Sequence, residues 1–161
     1  MCGIIGFTGN IKAQDILLTG LEKLEYRGYD SAGIAYFKEN GKISIRKTAG
    51  KVKDLRAICD DNDATCGIGH TRWATHGGVT NANAHPHKSG SVSLIHNGII
   101  ENFRVLKDAL IQNGFEFRSS TDSEVLVNLI EYVRKTNSCT LEEAVRLALK
   151  QAIGAYAIAV I

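Results

Sequence analysis

An α+β fold is what the sequence predicts, on three observations. Apolar or alternating runs of strand length recur at residues 3–8, 32–38, 42–48, 65–70, 91–96 and 154–161. Between them lie segments with helical spacing, two of them opened by the capping pairs Thr121 with Glu124 and Thr140 with Glu143. Asn40-Gly41, set between two of the strand runs, is a hairpin signal and makes that pair antiparallel.

Each element has its own warrant. Residues 3–8 (GIIGFT) are apolar with two glycines, which predicts a buried strand closely approached by other backbone. From Ile11 the pattern turns helical: Ile16, Leu17, Leu21 and Leu24 share a face, with Lys12, Asp15, Glu22 and Lys23 elsewhere. That helix should stop near Tyr26, because Arg27-Gly28-Tyr29-Asp30-Ser31 reads as a structured turn. After the hairpin, residues 51–60 suggest a short helix and 65–70 a strand feeding a polar loop at 71–90. The loop holds His76, His85, His87 and the one proline, Pro86; a loop of that length in a compact domain is more often functional than idle. The strand at 91–96 ends at Asn97-Gly98, and the helix at 101–113 closes at Gly114. The last run, Gly154-Ala155-Tyr156-Ala157-Ile158-Ala159-Val160-Ile161, stops in mid-strand, which predicts a fragment of a larger protein.

Composition narrows the class. The chain has 161 residues, 44% hydrophobic and 22% charged, enough for one domain with a real core. Its net charge is +2 with lysines and arginines scattered among acids, so no nucleic-acid surface or basic membrane patch is expected. No apolar run reaches the roughly 20 residues that span a bilayer. The N-terminus lacks the basic flank and apolar core of a secretory signal. The four cysteines, Cys2, Cys59, Cys66 and Cys139, are far apart without C-x-x-C spacing, so reduced thiols in the cytoplasm are the expectation.

Cys2 directly follows the initiator methionine. Once Met1 is trimmed, one residue carries a thiol and an α-amine whose ordinary pKa, about 7.7–8.0, suits it to take the thiol's proton. With Met1 attached that nitrogen is an amide and has no such role. Taken on the first six residues alone, Cys2 reads sooner as a small buried hydrophobe leading a strand. Asn97 and Gly98 offer two donors to an oxyanion, though Asn-Gly alone reads as a turn. Arg72 suits a carboxylate, and Asp122 an ammonium group; singly, each is also an ordinary ion-pair or helix-first-turn residue. The histidines match no zinc spacing. A papain-like Cys-His-Asn set lacks its local signature, and the neighbours His96 and Asn97 should point to opposite faces of a strand.

Five motifs occur in order: M-C-G-I-I-G at 1–6, L-E-Y-R-G-Y-D-S-A-G at 24–33, G-H-T-R-W-A-T-H-G at 69–77, H-N-G-I-I-E-N at 96–102 and S-S-T-D-S-E at 119–124. On these the chain, over its whole length, resembles the glutaminase domains of the class II, N-terminal-nucleophile glutamine amidotransferases. R-G-Y-D-S-A-G is similar to the aminosugar-forming branch, where the purine-pathway branch usually reads closer to R-G-Q-E-S-A-G. The resemblance implies a four-layer αββα sandwich, here incomplete at its C-terminal end. It implies Cys2 as nucleophile, Asn97 and Gly98 as oxyanion donors, and Arg27 as a brace for the residues around Cys2. Arg72 would bind the carboxylate of L-glutamine and Asp122 its α-amino group, with Thr75 and His76 shaping the pocket. Trp73 would sit on a mobile covering loop. No cofactor and no metal is implied. Fructose 6-phosphate would be met only through separate sugar-isomerase domains absent from this chain, in a full-length homo-oligomer.

Overall fold

The computed structural model describes residues 2–74 and 77–161. Seven strands and five α-helices follow in the order β1 (Gly3–Thr8), α1 (Ala13–Leu24), β2 (Ser31–Phe37), β3 (Ile43–Thr48), α2 (Val52–Ala57), β4 (Cys66–Arg72), β5 (His87–Ser89), β6 (Val92–Gly98), α3 (Phe103–Gln112), α4 (Asp122–Asn137), α5 (Leu141–Leu149) and β7 (Tyr156–Val160), these counts being of the described residues. A 3-10 turn at Glu25–Arg27 ends α1. The strands form two antiparallel sheets, ordered β1-β4-β2-β3 and β5-β6-β7.

Strand alternation sorts the apolar residues into three interfaces, which are the three seams of a four-layer αββα stack. On β2, Ala32, Ile34 and Tyr36 join Leu17, Leu18 and Leu21 of α1 and Leu55 of α2 beneath the first sheet. The other face of that sheet contributes Ala35 and Ile68, which meet Ile95 of β6 between the sheets. On the far side of β6, Val92 and Leu94 pack on Leu126, Ile130 and Val133 of α4, with α3 and α5 completing the outer layer. The four-layer expectation holds.

Local chemistry explains most boundaries and two departures. The hairpin turns at Lys38 to Lys42, with the Gly41 N–H donating to the Lys38 carbonyl (2.8 Å) and the Lys38 N–H to the Lys42 carbonyl (2.9 Å). Only Gly41 takes a positive φ (+72°), while Asn40 uses its side chain to accept from the Lys42 N–H (3.0 Å). Thr140 and Glu143 form a complete capping box at α5. At α4 the box is half made. Thr121 Oγ1 accepts from the Glu124 N–H (3.3 Å), but the Glu124 carboxylate turns away to accept from the N–H groups of Arg118 (2.9 Å) and Ser119 (2.7 Å). Those two loop donors are within reach and take the carboxylate, which leaves both paired. The second departure lies in the polar loop, where His87–Ser89 forms the edge strand β5.

Candidate active site

The site lies where the start of β1, the ends of β4 and β6, and the N-terminus of α4 meet. A cavity of about 510 Å³ is lined there by Cys2, Arg27, Arg72, Trp73, Asn97, Gly98 and Asp122, with His85, His96 and Ser123 among the residues behind them. The motifs of residues 2, 27, 72–73, 97–98 and 122 are thus brought to one place. Thr75 and His76, and Met1 with them, lie outside the described residues.

Cys2 precedes β1, which pairs antiparallel with β4 so that Gly3 stands opposite Thr71. That register brings Cys2 against the residues that follow β4. The Trp73 N–H donates to Cys2 Sγ (3.2 Å), and Sγ also lies 3.7 Å from the Trp73 carbonyl oxygen. From the opposite sheet, the Asn97 Nδ2 amide donates to the Cys2 carbonyl (3.1 Å). Asn97 can reach because β6 alternates: His96 faces α4, while Ile95 and Asn97 face the first sheet. The expectation that neighbouring His96 and Asn97 point apart holds. Asn97-Gly98 is not a turn here, since both residues pair with β7, at Ala157 and Tyr156. Gly98 sits at φ +128°, and a Cβ there would come within 2.3 Å of the Ala155 carbonyl oxygen, so no larger residue fits.

The charged groups flank the thiol. Arg72 closes β4, is only 5% exposed, and donates from Nη1 to the Gly78 carbonyl (3.2 Å). Burial lowers its pKa from the ordinary arginine value, opposed by Cys2, Asp30 and Asp122. Asp122 is the first residue of α4; its Oδ2 accepts from the Ile100 N–H (2.8 Å) and its Oδ1 stands 4.0 Å from His96 Nδ1.

Two sets of residues that the sequence reading did not assign support this arrangement. The first is in the turn after α1. Gly28 packs so closely on the Arg72–Trp73 peptide that a Cβ would lie 2.8 Å from the Arg72 carbonyl carbon. The Asp30 N–H donates to the Arg72 carbonyl (3.0 Å), the Asp30 carboxylate accepts from the Ala74 N–H, and the Tyr29 ring meets Trp73 edge-on at 5.3 Å. The turn motif was visible in the sequence, whereas its partner across the fold was not.

The second set is a group of four buried histidines behind the cavity. His70 and His85 stack with centroids 4.1 Å apart, and His85 meets His87 edge-on at 4.7 Å. Ser123 Oγ lies 2.9 Å from His85 Nε2 and 2.8 Å from His96 Nδ1, while Thr121 Oγ1 lies 3.1 Å from His87 Nε2. Burial pushes His70 down to about 4 and also lowers His85, His87 and His96, the last opposed by Asp122. All four are therefore neutral at pH 7. His85 and His96 share the Ser123 hydroxyl, His87 meets that of Thr121 and His70 the Asn97 carboxamide, and no set of three His, Cys, Asp or Glu suited to a metal ion occurs among the described residues. Lys47 of β3 holds the histidine-bearing loop by donating from Nζ to the carbonyls of Ala84 (2.7 Å) and Pro86 (3.3 Å). Burial pushes its pKa down to about 8, opposed by Glu124.

Comparison with known proteins shows the family. Over its whole length the chain is 55% identical to the glutamine–fructose-6-phosphate aminotransferase (isomerizing) of Bacteroides thetaiotaomicron, covering 27% of that protein. Over 99% of its length it is 52% identical to the Bacillus subtilis enzyme of the same name, covering 26% of it. The chain thus spans about a quarter of the length of these curated relatives. Among solved structures, the allosteric regulatory enzyme of purine biosynthesis matches all of the chain at 31% identity and TM-score 0.86, over 35% of that protein. A glutamine phosphoribosylpyrophosphate amidotransferase from B. subtilis, complexed with ADP and GMP, matches all of it at 29% identity and TM-score 0.83, also over 35%. The glutamine amidotransferase domain family matches residues 44–160, and the chain belongs to that family.

Proposed function

We propose that this chain hydrolyses the side-chain amide of L-glutamine and passes the ammonia on for aminosugar synthesis. The observation that carries the reading is the convergence of Cys2, Asn97, Gly98, Arg72 and Asp122 on one cavity. These residues offer a partner for the thiol, for an oxyanion and for both charges of an α-amino acid. Arg72 takes the substrate carboxylate and Asp122 its ammonium group, placing the side-chain amide at Cys2 Sγ. After Met1 is removed, the Cys2 α-amine accepts the thiol proton and Sγ forms a bond to the amide carbon. Asn97 Nδ2–H and Gly98 N–H donate to the oxyanion. The C–N bond breaks as the α-ammonium returns the proton to the leaving ammonia. Water then adds to the thioester carbon, giving glutamate and the free thiol. Arg27 braces the residues around Cys2, Thr75 and His76 shape the pocket, and Trp73 is part of a covering loop.

The relatives' names supply the acceptor. On this reading ammonia reaches fructose 6-phosphate held on sugar-isomerase domains, which would occupy the remaining length of such proteins, in a cytoplasmic homo-oligomer. The higher identity to the aminosugar enzymes (55%) than to the purine-type structures (31%) favours this acceptor over a phosphoribosyl one. The test is glutamate release from glutamine by full-length protein whose intact mass confirms loss of Met1. Cys2→Ala should abolish it, and supplying fructose 6-phosphate should yield glucosamine 6-phosphate. Undiminished glutamate release in Cys2→Ala would overturn the mechanism.

A further inference from the structure

His70 takes no part in the reaction just described, yet it is fully buried one side chain away from Cys2. It stands on β4 two residues before Arg72, on the face turned toward the second sheet, and its Nε2 lies 2.8 Å from Asn97 Oδ1. A carboxamide has two faces of opposite polarity, and which one meets the Cys2 carbonyl is decided by what holds the other end. With the Nε2–H tautomer, His70 donates to Asn97 Oδ1, and the Asn97 NH₂ group turns to Cys2, donating to its carbonyl at 3.1 Å. Rotating the amide by half a turn would set Oδ1 against the Cys2 carbonyl oxygen, acceptor against acceptor, and point no donor at the thiol side. The imidazole itself cannot swing away: His85 stacks on it at 4.1 Å, and Ser123 holds His85 at 2.9 Å.

We infer that His70 is a positioning residue for the Asn97 side chain, holding its amide with the N–H bonds directed at the reacting centre, the His85–Ser123 pair acting as its back wall. The inference rests on the proposed role of Asn97 as an oxyanion donor. Neutrality of the histidines supports it, since burial keeps His70, and the rings beside it, uncharged at pH 7. Asn97 then approaches the transition state preorganised rather than choosing between two orientations.

The test is steady-state glutaminase kinetics on the full-length, Met1-free protein. His70→Leu removes the donor at similar volume and should lower kcat about 100-fold with KM for glutamine within about threefold, the scale expected when a reacting group is misplaced. Affinity for glutamate γ-semialdehyde, whose hemithioacetal with Cys2 carries an oxyanion-like oxygen, should fall with kcat, while affinity for glutamate stays within about twofold. His70→Gln, whose amide N–H reaches near the Nε2 position, should recover most of kcat; His70→Asn, too short, should not. In an Asn97→Ala background, His70→Leu should cost less than about threefold further, because the group it orients is gone. If His70→Leu does not fold, the Gln and Asn variants and the glutamate γ-semialdehyde affinities decide. Equal kcat in the Gln and Asn variants, or full additivity with Asn97→Ala, overturns the inference. A loss under tenfold for Asn97→Ala alone instead overturns the reading of Asn97 on which it rests.

Discussion

The layer between the two sheets has two halves that share strands but not chemistry. On β4 the inward positions run Ile68, His70, Arg72, and on β6 they run Ser93, Ile95, Asn97. At Ile68 and Ile95 the seam is dry, filled with Ala35, Ile4 and Ala159. Two residues further along, the same faces meet as His70 and Asn97, joined at 2.8 Å, and the seam becomes a hydrogen-bonded net ending at Cys2. One half clamps the sheets and the other aims side chains. A single step of two residues along a strand separates stability from chemistry, because strand alternation repeats the face and not the residue type.

Paired substitutions can break that division. The largest effect expected is from Ile95→Ala, which leaves a cavity at a fully buried position and should cost about 2–5 kcal/mol in urea unfolding. Turnover per folded molecule should change less than about threefold. Asn97→Ala, two residues away on the same face, should invert the pattern, with kcat for glutamine falling about 10²–10³-fold and stability moving far less than for Ile95→Ala. Equal effects of both substitutions on kcat would abolish the contrast.

Acid should attack only the polar half. An unfolded histidine takes up a proton near pH 6.5, whereas folded His70 refuses it until about pH 4. Stability is thus unaffected by His70 above pH 6.5, falls as pH drops from 6.5 toward 4, and levels off below. His70 alone accounts for about 3 kcal/mol of that loss. The lowered pKa values of His85 and His87 steepen it in the same direction. Unfolding free energies from pH 7.5 to 4.5 should show the loss, Ile95→Ala should keep its slope, and His70→Leu should reduce it. The smallest effect lies away from the seam. Thr140→Ala removes the N-cap of α5 and should cost about 1 kcal/mol, with no change in kcat.

How much of this was legible beforehand depended on whether a feature is local. Strand and helix runs, the stop before Gly114 and the cap at Thr140 follow from neighbours in sequence, and these came out within a few residues of their positions. The short edge strand at His87–Ser89 did not, because three polar-flanked residues carry no periodic signal and are strands only by pairing with β6. Asn97-Gly98 reads locally as a turn. It is instead a strand end, since β7 supplies partners about sixty residues later that no local pattern reveals.

The sequence by itself determined the alternation, the caps, the reactive residue types and, through motif order, the family to which the chain belongs. Only the tertiary structure decided which side chains share a cavity and which way the Asn97 amide points. It also decided that Gly28 and Asp30 serve the Arg72–Ala74 segment, and that His85 and His87 of the polar loop lie buried and neutral beside His70 and His96. The physical reason is range. Propensity and periodicity act over one turn or one pleat. Desolvation and the direction of a hydrogen bond depend on groups brought together from β1, β4, β6 and α4, which exist as neighbours only after the two sheets have stacked.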